Sequence, residues 1–274
     1  MRPTHVLFVG ASGSVGRYAV REGVARGYRV RALVRDASRE CFGPNVEICE
    51  GDLKNVDDMR RALDGIDGIV FTMGANGGPT LNEDVDYGAV KNALDALDGR
   101  RARIALMTAI GLAADMDTEY NRATQAHDWK RRSERLVRAS GNEYTIVRPG
   151  WFDMEGADEH HLRFRQDQRH VPTGPADGSV ARRQIAQTLV AALGCEEADR
   201  KTFNLVDELG QPQSDAEIAP MFAALEADPR DAPFDGYDDP DNFPLHAQPK
   251  RVREELAYVE TMAHATATMT HARC

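Results

Sequence analysis

The stretch His5-Val-Leu-Phe-Val-Gly10-Ala-Ser-Gly13-Ser-Val-Gly16 constrains this chain more than any other. An apolar run of four residues, Val6–Val9, meets three glycines at three-residue spacing, and a helical pattern follows. A buried strand that turns through glycines into a helix offers free N–H groups and the positive end of the helix dipole to an anion. Glycine lets the backbone come close to that anion. A second strand beginning near Tyr28 supplies the context that separates a phosphate cradle from an ordinary glycine-rich turn. The cradle so read comprises Gly10, Ser12, Gly13, Ser14, Val15, Gly16 and Arg17.

The chain continues as alternating strands and helices. The first strand is His5–Val9, and a helix runs from about Ser14 to Arg26 with Gly27 closing it. The second strand, Tyr28–Val34, alternates Val30, Ala32 and Val34 with Arg29, Arg31 and Arg35. An acidic residue at the end of this strand grips a ribose 2′-hydroxyl in NAD sites. Arg35 stands there instead, and a guanidinium suits a 2′-phosphate. The expected cofactor is NADP, with Arg17 as a second cation in reach. Asp36 leaves NAD open, and a solvated strand end is the plain alternative for Arg35. The third strand, Val46–Gly51, leads into Asp52 and Leu53, which suit an adenine edge as acceptor and apolar wall. Asp52 equally suits the N-cap of the helix Val56–Leu63. The fourth strand, Ile66–Met73, ends in Gly74 and Ala75, expected beside the pyrophosphate and the nicotinamide ribose.

A helix over Asn82–Leu97 carries Tyr87, Val90, Ala93, Leu94 and Leu97 as a core-facing stripe. Arg103–Thr108 is the fifth strand, Glu119–Ala139 one long polar helix, and Tyr144–Val147 the sixth strand. This alternation predicts an α/β fold with a parallel sheet, right-handed crossovers and helices on both faces. After Gly150 the pattern changes. A mixed stretch carries His160, His161 and His170, then come a helix Gly178–Leu193, a seventh strand Thr202–Val206 and a helical Ser214–Ala227. The Pro- and Asp-rich segment 228–249 includes an acidic run, Asp235–Asp241, that reads as a solvated loop. A terminal helix spans Arg251–Met262. The division expected is a dinucleotide-binding core over 1–150 and a capping region with C-terminal extension over 151–274, within one integrated domain.

A net charge of −10 disfavours direct nucleic-acid binding. No apolar run reaches the roughly 18 residues of a membrane span. The first residues enter a strand with no signal-peptide pattern, and Cys41, Cys49, Cys195 and Cys274 lack metal-ligand spacing. The expectation is a cytoplasmic protein with no metal; the tandem His160-His161 lacks helical ligand spacing.

Five stretches occur in a familiar order: Gly10–Arg17, Ala32–Asp36, Glu50–Leu53, Tyr144-Thr-Ile-Val-Arg-Pro-Gly150 and Gly178-Ser-Val-Ala-Arg-Arg-Gln-Ile-Ala186. Over residues 4–206 the chain resembles the atypical short-chain dehydrogenase/reductases, a group that includes NmrA-like and flavin-reductase-like proteins. The resemblance implies a Rossmann-like doubly wound parallel sheet with a small C-terminal substrate-capping region. It also implies a Ser or Thr after the fifth strand to orient a substrate carbonyl, and a Tyr-x-x-x-Lys pair on the next helix. Thr108 fills the hydroxyl position and Lys130 the lysine position, where it would hold the nicotinamide ribose. The tyrosine position is Ala126. His127 and Tyr120 are the nearby side chains able to stand in. Thr108 as a strand-end hydrogen-bonder and Lys130 as a solvated helix lysine are the structural alternatives. The reading is an NADP-dependent oxidoreductase passing hydride to a small carbonyl, quinone or flavin acceptor. A non-catalytic NmrA-like cofactor sensor with a regulatory protein partner, and an epimerase or dehydratase, stand beside it. A homodimer is compatible with either.

Overall fold

The computed structural model describes residues 2–114, 116–166, 174–230 and 234–271. Its strands are β1 (His5–Val9), β2 (Arg29–Val34), β3 (Val46–Glu50), β4 (Gly68–Phe71), β5 (Arg103–Met107), β6 (Tyr144–Pro149), β7 (Trp151–Phe152), β8 (His161–Arg165), β9 (Ser179–Val180) and β10 (Lys201–Glu208). Its α-helices are α1 (Gly16–Ala25), α2 (Val56–Ala62), α3 (Pro79–Asn82), α4 (Gly88–Leu97), α5 (Glu119–Thr124), α6 (Ala126–Ala139), α7 (Arg182–Leu193), α8 (Asp215–Ala223) and α9 (Lys250–His271). The main sheet runs β3-β2-β1-β4-β5-β6-β10-β8. Every neighbouring pair is parallel except β10 with β8. This is the doubly wound order, with the sequence of strands across the sheet reversing between β1 and β4.

Side chains alternate across a strand, and here both faces are covered. Val6 and Phe8 of β1 join Val70, Ala105, Met107, Val147 and Phe203 under α1, α7 and α8. Leu7 and Val9 join Ile69, Phe71, Ile104, Leu106 and Ile146 under α2, α4, α6 and α9. That double burial is why β1, β4 and β5 read as apolar runs after their first residue. Residues beyond 150 extend the same sheet through β10 and β8.

Three expected helices are interrupted or start late. The helix over Asn82–Leu97 is interrupted by a π turn, Glu83–Tyr87, between α3 and α4. Asn82 is fully buried, and its amide donates to the carbonyls of Gly77, Gly78 and Thr124. The long helix over Glu119–Ala139 breaks at Gln125, which has φ +53°. There the Asn121 side-chain carbonyl accepts the His127 and Asp128 N–H groups and so caps α6. The helix expected from Gly178 starts only at Arg182, because Ser179 and Val180 pair with Trp151 and Phe152 as β9 and β7. The terminal helix is longer than Arg251–Met262. Strand β8 carries His161, while His170 lies outside the described residues.

The acidic run after Asp235 is not a solvated loop. Asp235 accepts from Arg131 (2.7 Å) and Arg135 (2.9 Å) of α6, and Asp238 accepts from Arg148 of β6 (2.9 Å). Asp228 accepts from Arg138 (3.1 Å), Tyr144 (2.9 Å) and Thr202 (2.7 Å). The arginines of α6, polar by sequence, are therefore buried under a strap of carboxylates.

Candidate functional site

The cradle forms where β1 turns into α1. Gly10 has φ +85°, and a Cβ there would stand 2.6 Å from the backbone nitrogen of Met73. A Cβ on Gly16 would be driven into the Gly10 carbonyl. Both glycines are thus required by the turn's own packing. Gly13 donates its N–H to the Gly10 carbonyl at 2.9 Å. Helix α1 has no side-chain N-cap and no acidic residue in its first turn, so its N-terminal N–H groups suit an anion. Ser12, Gly13 and Ser14 reach the surface, whereas Val15 is buried and can offer a ligand only its backbone.

The other residues expected to meet a cofactor lie along the same carboxyl edge of the sheet. Arg17 is exposed; its Nε donates to the Ser12 carbonyl (3.1 Å) and its guanidinium pairs with Glu40 (2.7 Å). Arg35 is exposed at the end of β2. Asp52 accepts the Lys54 N–H and does not cap α2; Asn55 does, accepting from Asp57 and Asp58. The Asp52 N-cap alternative is thereby removed. Leu53 is half-buried against the core. At Gly74 a Cβ would meet nothing within 4 Å, so the end of β4 leaves open space. Open strand ends, an uncapped helix start and glycine at the close approaches fit a dinucleotide.

Beside the cradle lies a cleft of about 750 Å³. It brings together Gly74, Ala75, Thr108 and Lys130 from the expected set, together with Tyr120 and His127. Its walls are largely apolar, from Met73, Met107, Ile110, Pro149, Trp151 and Phe152. Met73 is the residue against which Gly10 packs, so cradle and cleft share a wall.

The polar groups of the cleft are held from behind. Thr108 is buried and its hydroxyl donates to Glu134 Oε1 at 2.8 Å. That spends the single hydroxyl proton, so Thr108 turns acceptor lone pairs toward the cleft rather than the donor a substrate carbonyl would want. Glu134 is completely buried and also accepts from Arg148 (2.9 and 2.6 Å). Burial opposes its ionisation, but the Arg148 and Arg138 guanidiniums win and hold its pKa below the usual carboxylate range. Lys130 is not a solvated helix lysine: its side chain is half-buried against the buried Asp86, with Nζ 2.7 Å from Oδ2. Asp86 also accepts the Ala75 N–H. Burial raises the Asp86 pKa against the pull of Lys130. The Tyr120 ring meets the His127 ring edge-on at 5.6 Å, and Tyr120 is 56% exposed. Burial, and secondarily the Lys130 charge, pushes His127 down to about 4. At neutral pH it is an uncharged imidazole. Ala126 is buried at the first turn of α6.

Asp86 and Glu134, which hold Lys130 and Thr108 from behind, escape sequence reasoning. Asp86 falls within an apolar stripe and Glu134 within a run of charges, and neither carries a spacing that betrays its partner. Among the described residues no group of three His, Cys, Asp or Glu side chains is arranged to hold a metal, and no helix is long and apolar enough to cross a membrane.

Comparison with known proteins bears on this arrangement. Sanguinarine reductase of Eschscholzia californica is 28% identical over 262 residues, covering 80% of this chain and 94% of its own. NAD(P)H azoreductase of Xenophilus azovorans is 26% identical over 228 residues, covering 82% and 74%. The oxidoreductase ylbE of Lactococcus lactis superposes with a TM-score of 0.63 at 16% identity, over 79% of this chain and 95% of its own, a likeness of fold. The NAD(P)H-binding family model matches residues 10–196, from the first glycine of the cradle to the end of α7 and just beyond. The chain belongs to the NAD(P)H-binding family, in keeping with its resemblance to the atypical short-chain dehydrogenase/reductases.

Proposed function

We propose that the protein is an NADP(H)-dependent reductase whose acceptor is a flat, largely apolar quinone- or flavin-type molecule, with small carbonyl compounds as poorer acceptors. The observation that carries this is the cleft itself. It opens against the cradle, it is walled by Trp151 and Phe152, and its Thr108 proton is committed to Glu134. The reductases among the relatives support the same reaction type.

When bound and reduced, the nicotinamide supplies the hydride. The chain's residues do the rest. Gly74 and Ala75 keep the floor of the cleft open, and Lys130, oriented by Asp86, faces it with an ammonium suited to ribose hydroxyls. Neutral His127 offers one ring N–H. The apolar walls exclude water from the reacting face and favour ring stacking. No acidic hydroxyl stands in the position of Ala126. A quinone or flavin tolerates this, because its reduced anion is stabilised by delocalisation and can take its proton from solvent. A simple carbonyl gains no such relief and needs a positioned acid.

The test is turnover of purified protein with NADPH and a panel of quinones, flavins and simple carbonyls, followed by NADPH absorbance. Quinones or flavins should be reduced fastest. Bound NADPH with no acceleration by any acceptor would reject the reading and favour a cofactor-sensing protein, for which Ala126 already argues. Arg35 and Arg17 support NADP over NAD. Arg35→Glu should weaken NADP binding by about 1.5–3 kcal/mol, the size of a charge-assisted hydrogen bond, and leave NAD nearly unchanged. Equal loss for both cofactors, measured by titration calorimetry, would remove Arg35 from the 2′-phosphate site.

A further inference from the structure

We propose that Arg182 is a phosphate-binding residue for the dinucleotide's pyrophosphate, and that Asp153 occupies its guanidinium until the cofactor arrives. The proposal rests on the reading that the cradle takes a dinucleotide. Arg182 belongs to the first turn of α7, in the half of the chain far from the glycine turn in sequence. Yet its Nε donates to Ser14 Oγ at 3.1 Å. Ser14 lies two residues before the start of α1, so the guanidinium reaches the mouth toward which the uncapped α1 N–H groups point.

Two guanidiniums bracket the turn, Arg17 bonded at Ser12 and Arg182 at Ser14. Each is held by a carboxylate, Glu40 for Arg17 and Asp153 for Arg182. The Arg182 side chain is 31% exposed and that of Asp153 49% exposed. A pair so open to water is weak and exchanges readily. A pyrophosphate carries two charges and presents them at a helix N-terminus, so it outcompetes a single solvated carboxylate. The guanidinium carbon lies 5.1 Å from the Phe152 ring centre, an arrangement that fixes its plane and leaves its edge N–H groups for an anion.

The exchange has a consequence for the cleft. Asp153 follows directly on Trp151 and Phe152, which form its wall. Its own N–H is bonded to Val180, and its carboxylate also accepts the Arg182 backbone N–H at 2.9 Å. Drawing Arg182 toward the cofactor therefore pulls on the strand pair that contacts the acceptor. Cofactor occupancy and the acceptor wall are coupled through one side chain.

The experiment is calorimetric titration of the full chain and its variants with NADPH, and with adenosine 2′-monophosphate, which keeps the 2′-phosphate but lacks the pyrophosphate. Arg182→Gln should weaken NADPH binding roughly tenfold and leave adenosine 2′-monophosphate unaffected. Asp153→Asn keeps an acceptor for the Arg182 backbone N–H but removes the competing charge. It should tighten NADPH binding several-fold, and lose that effect in the Arg182→Gln background. Unchanged NADPH affinity in Arg182→Gln, or equal weakening of both ligands, overturns the phosphate role. An Asp153→Asn variant that binds NADPH like the parent overturns the exchange. A parent protein that binds no NADPH at all overturns the cofactor reading and this proposal together.

Discussion

Arg148→Met should destabilise the folded protein by about 3–5 kcal/mol, the cost of breaking a buried ion pair from one side. Arg148 is 4% exposed and serves two carboxylates at once. Its Nε and one terminal nitrogen donate to Glu134 at 2.9 and 2.6 Å. Its terminal nitrogens donate to Asp238 at 2.9 and 2.5 Å. Methionine fills much of the volume but leaves both acids in the core. Glu134 then keeps only the longer contact to Arg138 (3.4 Å) and the Thr108 hydroxyl, and Asp238 keeps Arg131 and a 3.8 Å approach to Arg138. Those remaining partners place the expectation toward the lower end of the range. Urea unfolding measures it, and a loss below about 1 kcal/mol would show that the network carries little of the stability.

The same residues set an acid limit. Burial opposes ionisation of Glu134 and Asp238, but the guanidiniums of Arg148 and its neighbours dominate and depress both pKa values. A depressed carboxylate pKa stabilises the fold above the unfolded value of about 4 and loses that contribution as pH falls through the folded value. The parent protein should therefore lose stability steeply below about pH 4. In Arg148→Met the acids are no longer held ionised, so the gap between the two proteins should close as pH falls.

Gly16→Ala should weaken cofactor binding about 100-fold, near 2.8 kcal/mol, and cost about 1–3 kcal/mol of stability through overpacking. The added methyl meets the Gly10 carbonyl and the Ala11 carbonyl carbon, which are backbone and cannot rotate away. Relief requires α1 to move off the turn, and that withdraws the N–H groups from the anion. Gly13→Ala is the control: its Cβ would lie 3.1 Å from the Gly10 carbonyl, a contact a small shift relieves. Its NADPH affinity should fall far less. Equal affinities in the two variants would mean that the turn tolerates a displaced helix.

The doubly wound sheet was legible in the chain because its signals are local. The β1 run, the glycine turn and the helix start need only neighbours in sequence to be recognised, and full burial on both faces makes each central strand apolar beyond its first residue. The edge strand β8 was not legible. His161-Leu-Arg-Phe-Arg165 is short and half polar, and its strand character depends on β10 being there to pair with. The helix breaks at Glu83–Tyr87 and at Gln125 were hidden for a related reason. Asn82 and Asn121 stabilise them by reaching carbonyl and amide groups on other turns, and no spacing records that.

For the site, the sequence by itself determined the cradle, the absence of the expected tyrosine at Ala126 and the residues Thr108 and Lys130 at the strand and helix positions facing one cleft. Backbone chemistry and one-turn periodicity are short-range, so these follow from the order of residues. Only the tertiary structure decided what each polar group is already doing. Thr108 donates its hydroxyl hydrogen bond to Glu134, Lys130 is held by Asp86, the acidic run after Asp235 is drawn inward by the arginines of α6, and Arg182 arrives beside Ser14 from 168 residues away. Charge pairing in a protein interior has no sequence period; it depends on which groups folding brings within a few ångströms of each other and out of reach of water.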